Sequence, residues 1–151
     1  MAAIFNFFKV AVDSKLPVDN HFLIWTDGNI DTKDDESQHT LSKLREVVTN
    51  VTSCTEPEQC MKVLNSIGDK KAFVICSGSF GRGLVPNIHG MPNVAVIYIF
   101  CGNKEQHKEW AKKWPKVQGV FTEIQPICES LKKVRYGCDC EIKMLGLRMW
   151  M

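Results

Sequence analysis

Residues 94–101, Val-Ala-Val-Ile-Tyr-Ile-Phe-Cys, form a continuous apolar run. A second run, Ala-Phe-Val-Ile-Cys at 72–76, has the same character. Strands that face solvent on one side alternate apolar and polar residues, whereas runs without alternation are typical of strands buried on both faces. Both runs therefore predict central strands of a parallel sheet that helices cover on each side.

Shorter strand signals lie on either side of these two runs. Stretches rich in apolar or β-branched residues predict strands at 21–25, 51–54 and 117–124. Apolar residues at helical spacing fill the gaps, so strand and helix signals alternate five times. This succession predicts a three-layer α/β fold with a doubly wound, parallel, five-stranded sheet. The expected strand order is 2-1-3-4-5, that of flavodoxin-like and receiver-like domains, because the two continuous runs belong in the centre.

Capping residues predict where the helices begin and end. Ser37 is expected to cap the first helix. Thr55, followed by Pro57 and Glu58, is expected to cap the second. Gly68 is expected to end that helix. The remaining helices are expected at 84–88, 104–114 and 125–134.

The domain organisation follows from this pattern. Residues 21–135 are expected to form one α/β domain, with an N-terminal extension at 1–20 and an irregular C-terminal tail at 136–151. A length of 151 residues is normal for one domain. The hydrophobic fraction of 44% and the charged fraction of 24% are those of a globular protein.

Charge and cysteine content exclude several classes of partner and site. A net charge of +2, spread along the chain, gives no reason to expect a nucleic acid or a membrane as partner. Seven cysteines at irregular spacing favour a reducing compartment, and hence the cytoplasm, over a disulfide framework. Cys138 and Cys140 are too close together for a zinc finger, so neither a metal nor a cofactor is predicted.

Polar residues that follow the predicted strands are the candidate ligand-binding residues. Ligands of open parallel sheets bind beyond the carboxyl ends of the strands, near the point where the strand order reverses. That edge is predicted to carry Asp27, Asn29, Ser77, Gly78, Ser79, Arg82 and Asn103, with Thr122 and Glu123 at its margin. Many such residues are also needed simply to make turns.

A phosphoacceptor site of the receiver type is incomplete in this sequence. Such a site needs an aspartate after the third strand, where Ser77 stands, and a lysine after the fifth, where Thr122 and Glu123 stand. Asp27 supplies only part of the acidic pair that would hold magnesium.

Cys101 is the candidate nucleophile of an alternative, enzymatic interpretation. The segment Phe100-Cys101-Gly102 is similar to the strand-end cysteine of caspase-like hydrolases. No histidine follows the third strand, so His89 would have to act as the base. A thiol without a base or a cationic neighbour is a poor nucleophile, and a buried structural role for Cys101 is the simpler interpretation.

The segment 78–83, Gly-Ser-Phe-Gly-Arg-Gly, suggests a third function, nucleotide or small-ligand sensing. A glycine-rich turn between a strand and a helix can place backbone amides against an anion, and Arg82 adds a cationic donor. The segment has neither the Lys-Ser/Thr of a P-loop nor the dinucleotide spacing.

Aromatic residues outside this edge are assigned to packing or to the surface. His21, His39 and His107 are expected to be exposed. Trp110 and Trp114, four residues apart, are expected on one helix, where they would cover the sheet.

Several strings resemble one family when they are taken together: LIWTDGNID at 23–31, FVICSGSFG at 73–81 and IYIFCGNKEQHKEWAKKWPKVQGVFTEI at 97–124. They are similar to the N-terminal α/β domain of multidomain proteins of bdelloid rotifers and some other invertebrates, over residues 20–134. There the domain precedes an arginine mono-ADP-ribosyltransferase domain or a tetratricopeptide-repeat region. The resemblance implies a non-catalytic accessory or interaction domain whose partner is a protein or a neighbouring effector domain.

Overall fold

The computed structural model describes residues 21–133, in which strands and helices alternate without exception. The strands are β1 (His21–Thr26), β2 (Val51–Cys54), β3 (Lys71–Ser77), β4 (Val94–Phe100) and β5 (Val117–Phe121). The helices are α1 (Asp35–Arg45), α2 (Pro57–Ser66), α3 (Gly78–Ile88), α4 (Lys104–Ala111) and α5 (Ile124–Lys133). The expectations for residues 1–20 and 136–151, and for Cys138 and Cys140, lie outside the described residues.

The five strands form one parallel sheet in the order β2-β1-β3-β4-β5. The predicted three-layer, flavodoxin-like α/β fold is therefore confirmed. Thr26, the last residue of β1, pairs with Cys54 of β2 and Cys76 of β3. The strand order reverses between β1 and β3, and these two strands end at the same level of the sheet.

Two apolar layers bury the sheet, as the continuous runs predict. Helices α2, α3 and α4 cover one face, where Val74, Ile97 and Ile99 are fully buried. Helices α1 and α5 cover the other, where Tyr98 is fully buried. The Tyr98 hydroxyl shares a hydrogen bond of 2.8 Å with Ser130 of α5, and burial raises the pKa of that phenol. One polar contact thus joins α5 to the centre of the sheet.

The predicted caps of the first two helices are wrong by a few residues. Asp34 caps α1 by accepting the Ser37 amide at 3.1 Å, whereas Ser37 is buried and its hydroxyl accepts the Asp31 amide at 3.1 Å. Helix α2 begins after Glu56, and the Gln59 side chain accepts the Glu56 amide at 3.2 Å. Before α1 several cap formers lie close together, and the path of the loop decides that Asp34 is used. At α2 the cap lies one residue after Thr55, at a glutamate. Gly68, at φ 67°, follows the end of α2 as expected.

Helix α3 is longer than predicted and contains the segment that was expected to be a turn. It has 11 residues and starts at Gly78, directly after β3. Ser77 makes this start possible because its hydroxyl accepts the Phe80 amide at 3.2 Å. Gly81 lets the helix lie close to the sheet, since an added Cβ would come within 3.0 Å of Ile99 and of Trp110.

The last elements are shorter than predicted. Helix α4 ends at Ala111, so Trp114 follows the helix, although both Trp110 and Trp114 pack against the apolar layer as expected. Strand β5 ends at Phe121, and Ile124 opens α5. Among the described residues, no helix combines the length and the apolar character that a membrane crossing requires.

Candidate functional site

The carboxyl ends of β1, β3 and β4 open onto a depression of about 910 Å³, bounded by the first turns of α3 and α4. We call it the α3–α4 depression. The structure brings together all seven candidate ligand-binding residues around it: Asp27, Asn29, Ser77, Gly78, Ser79, Arg82 and Asn103. Gly28, Phe80, Phe100, Cys101, Gly102, Gln106 and His107 complete the lining.

A smaller cleft of about 320 Å³ adjoins this depression on the side of α1. We call it the α1 cleft. The two share five lining residues: Asp27, Asn29, Phe100, Cys101 and Gly102. The cleft adds Trp25, which is almost fully buried, and the acidic side chains of Asp34 and Glu36. Thr122, predicted at the margin of the site, lies here. The carboxyl edge of the sheet is therefore acidic on the side of α1. Arg82, the one arginine among the residues that line the two cavities, lies on the side of α4.

The loop after β1 is fixed by the backbone and side chain of Asp27. The Asp27 amide donates to the Cys54 carbonyl at 2.9 Å, which holds the loop against the end of β2. The Asp27 carboxylate accepts the Asn29 amide at 2.9 Å. This local turn places both side chains at the rim, where each can meet a ligand.

The loop after β4 is fixed by Asn103. Its side chain accepts the Gln106 amide at 3.3 Å, which caps α4. Its backbone carbonyl accepts a hydrogen bond from the Cys101 thiol at 3.4 Å. Gly102, between them, is exposed, and a Cβ added there would meet nothing within 4 Å.

His107 is the main site residue that the sequence did not predict, and the expectation that it is exposed is wrong. Only 8% of its surface is accessible. Its ring lies against the backbone of Gly78, so closely that an added Cβ would overlap it. Its Nδ1 accepts a hydrogen bond from Trp110 Nε1 at 3.0 Å. The usable signal was position, since a residue four after an N-cap at the end of β4 lies in the first turn of a helix that borders the edge.

Arg82 lies one turn along α3 from Gly78, on the same side of the depression. Its guanidinium carbon is 5.8 Å from the centre of the Trp110 ring. Trp110 therefore orients both neighbours, because its N–H binds His107 and its face attracts the Arg82 cation.

The chemistry of Cys101 does not fit an activated nucleophile. Burial raises the pKa of the thiol, and the hydrogen bond to Asn103 offsets this only in part. The proposed base lies at the other end of the molecule, where the His89 ring is 5.2 Å from the ring of Trp114. Within residues 21–133, no hydrogen bond links a histidine to the Cys101 sulfur. The thiol is therefore protonated at neutral pH.

The other described cysteines are buried thiols. Cys54, Cys60, Cys76 and Cys128 are free, as is Cys101. Burial raises the pKa of Cys60 to about 11, and it raises that of Cys76 further. Among residues 21–133, no group of three or more His, Cys, Asp or Glu side chains is arranged to hold a metal ion.

Comparisons with known proteins identify no relative of this chain. No family model matches the chain, and no curated protein or solved structure is significantly similar to it.

Proposed function

We propose that the domain is a non-catalytic binding module, and that the carboxyl edge of its sheet receives a small ligand. One observation carries the proposal: residues from three separate loops, chosen from the sequence alone, line one depression at the point where the strand order reverses. In doubly wound sheets this is the place where ligands bind. The depression is open and its lining mixes polar groups with Phe80 and Phe100, which suits a small organic molecule.

The state of the thiol supports binding over catalysis. Cys101 is the only residue of the edge that the sequence nominates as a nucleophile, and its pKa is raised where activation requires a lowered value. We therefore expect slow alkylation of Cys101 by iodoacetamide at neutral pH. Rapid labelling, or turnover of a peptide, NAD or a phosphodonor that a Cys101→Ser variant loses, would contradict a non-catalytic role.

A matched pair of glycine variants tests the site directly. Gly102 lines both cavities, and Gly90 lies at the opposite end of the sheet, where an added Cβ also meets nothing within 4 Å. Both substitutions to phenylalanine should leave the fold intact. Thermal-shift screening with charged and uncharged metabolites should find ligands that stabilise the wild type and the Gly90→Phe variant but not Gly102→Phe. Ligands that stabilise all three proteins equally would place binding elsewhere.

The wider setting of the domain is part of the same proposal. The resemblance to domains that precede a transferase or a repeat region favours an accessory role. In this role, ligand binding to the domain would change the activity of a neighbouring effector domain. Five free cysteines in residues 21–133 favour the cytoplasm. Co-purification of the chain with a transferase or repeat protein encoded beside it, strengthened by a ligand of the site, would support this setting.

A further inference from the structure

Trp25 is a buried residue whose one polar atom has no partner in residues 21–133. It is the second-last residue of β1, and only 4% of its surface is accessible. Its Nε1–H is buried and makes no hydrogen bond within the described part of the chain. An indole N–H can only donate, and a buried donor without an acceptor is costly. The side chain therefore needs an acceptor that residues 21–133 do not supply.

The α1 cleft is the side from which such an acceptor can reach Trp25. The layer that contains Trp25, under α1 and α5, is apolar apart from the Tyr98 hydroxyl, which is already hydrogen-bonded. The cleft, in contrast, is lined by Trp25 together with the buried polar residues Ser37 and Thr40. Its volume of about 320 Å³ is at the lower end of the range for small-molecule sites. A small molecule in this cleft can therefore supply the acceptor.

Three carboxylates decide the charge of that molecule. Asp27, Asp34 and Glu36 line the cleft, and no Lys, Arg or His of residues 21–133 does. The first two each accept one backbone amide, whereas the Glu36 side chain has no ion pair in this part of the chain. Acidic residues also stabilise the start of a helix such as α1, so they indicate a ligand only together with Trp25. Their charge repels carboxylates and phosphates and attracts cations.

The arrangement suits an organic cation better than a metal ion. Within residues 21–133, no three acidic, His or Cys side chains are placed to hold a metal. The cleft instead combines its carboxylates with two aromatic residues, Trp25 and Phe100. An alkylammonium compound can use both, because its charged group meets a carboxylate while its carbon atoms lie against the aromatic residues.

We infer that the α1 cleft binds a small amino alcohol or a related amine that carries an uncharged oxygen. The protonated amine lies against the carboxylates of the cleft, and the hydroxyl or carbonyl oxygen accepts the Trp25 Nε1–H. The oxygen is uncharged because an anionic acceptor would be repelled by the same carboxylates. The inference rests on the proposed function, and it names the class of ligand and the part of the carboxyl edge that holds it.

Simple ω-amino alcohols of increasing chain length are the probes, because chain length sets the distance between amine and hydroxyl. We would titrate each into the full-length protein at neutral pH, against sodium chloride at matched ionic strength, and follow the Trp25 Nε1–H resonance by NMR. At least one probe should shift this resonance saturably and leave that of Trp110, which is bonded to His107, unchanged. No saturable shift with any probe, or equal shifts of both tryptophans, would overturn the inference.

Analogues of the best probe separate the two contacts. An alkylamine of the same length lacks the acceptor, and a diol lacks the charge. Each should bind about fivefold more weakly than the amino alcohol, which is the effect of one lost hydrogen bond. Equal binding of the alkylamine would reject the contact with Trp25, and equal binding of the diol would reject the contact with the carboxylates.

Trp25→Phe keeps an aromatic ring and removes the N–H. In this variant the amino alcohol and the alkylamine should bind equally, because the acceptor has lost its donor. A preference for the amino alcohol that persists in Trp25→Phe would overturn the inference. If this variant does not fold, the comparison of the two analogues on the wild type still tests the contact.

Two acidic residues that are adjacent in the chain give a matched pair of variants. Glu36→Gln removes a carboxylate of the cleft, and Asp35→Asn makes the same change of charge at an exposed residue of the first turn of α1, outside the lining. Binding of the amino alcohol should weaken about threefold in Glu36→Gln and less than about 1.5-fold in Asp35→Asn. Equal weakening would show that only net charge matters and would overturn the inference.

The outcome also separates this inference from the proposed function. Ligands that bind the wild type, that Gly102→Phe excludes and that leave the Trp25 Nε1–H resonance unshifted would keep the binding site and reject its assignment to the α1 cleft. Failure of the amino alcohols together with the whole metabolite panel would reject both.

Discussion

Two histidine–tryptophan pairs lie at opposite ends of the same sheet. His107 and Trp110 are joined by a hydrogen bond of 3.0 Å, and their rings meet edge-on beside the carboxyl ends of the strands. His89 and Trp114 lie beside the amino ends, with ring centres 5.2 Å apart and planes tilted by 58°. The sequence offers His89 as the base of the enzymatic alternative and predicts that His107 is exposed. The structure gives the two residues the opposite positions with respect to the candidate site.

The two pairs differ in where the second ring nitrogen points. In His107, which lines the α3–α4 depression, one nitrogen is bound to Trp110 and the other lies against Gly78. In His89, Nε2 is buried without a partner among the described residues, and the charge of Lys116 adds to burial in lowering the pKa of the ring. The same two residue types thus form part of a candidate site at one end and a packing contact at the other. The positions of the two histidines along their helices cause the difference. His107 lies near the start of α4 and His89 follows the end of α3, and in this fold the helices start at the carboxyl edge of the sheet.

The largest expected effect comes from Gly78→Ala. The new methyl group would overlap the His107 ring, and the hydrogen bond to Trp110 prevents the ring from simply moving aside. We expect the free energy of unfolding to fall by about 2–3 kcal/mol, as for overpacked cores. Chemical denaturation would measure it.

Gly83→Ala is the matched control for that variant in the same helix. An added Cβ at Gly83 meets nothing within 4 Å. Alanine should therefore stabilise the protein by about 0.5–1 kcal/mol through its higher helix propensity. If both variants changed stability alike, the close contact between α3 and His107 would be absent.

An intermediate effect is expected when each histidine is replaced by leucine. His107→Leu leaves the half-buried Trp110 N–H without its acceptor and should lower the free energy of unfolding by about 1 kcal/mol. His89→Leu removes a buried nitrogen that has no partner in residues 21–133, so the change should be smaller than about 0.5 kcal/mol or stabilising. Urea unfolding of both variants checks this. A larger loss in His89→Leu would show that the amino-end pair is the structural one.

The smallest expected effect is the dependence of stability on pH. The pKa of each histidine is lowered in the folded state, by burial first and by Arg82 or Lys116 second, from an ordinary value of 6.5. The unfolded chain then binds more protons in this range, so folding stability is complete above pH 6.5 and decreases as the pH falls through the folded pKa values.

Unfolding measured over a pH series in wild type and in the two leucine variants would resolve the contribution of each histidine. Each variant should show a shallower loss in acid than the wild type. Parallel curves for wild type and His107→Leu would contradict the burial of His107.

The sequence by itself determined the fold and the place of the candidate site. Two apolar runs without alternation are buried on both faces only when they form the central strands of a sheet that helices cover on both sides. Placing these two strands in the centre predicted the strand order that is observed. The seven candidate ligand-binding residues then followed from one geometric fact, which is that the carboxyl ends of parallel strands meet at one edge. Their roles as ligand contacts stay a prediction.

Only the tertiary structure decided which side chains complete that edge. Burial of His107 depends on the absence of a side chain at Gly78, 29 positions earlier in the chain, and on the contact of α3 with α4. The start of α3 at Gly78, where a turn was expected, depends on the Ser77 cap and on the close approach that Gly81 allows. Local sequence patterns do not predict such contacts. A glycine that is needed for the backbone conformation of a turn and a glycine that leaves space for a distant ring are the same letter in the sequence.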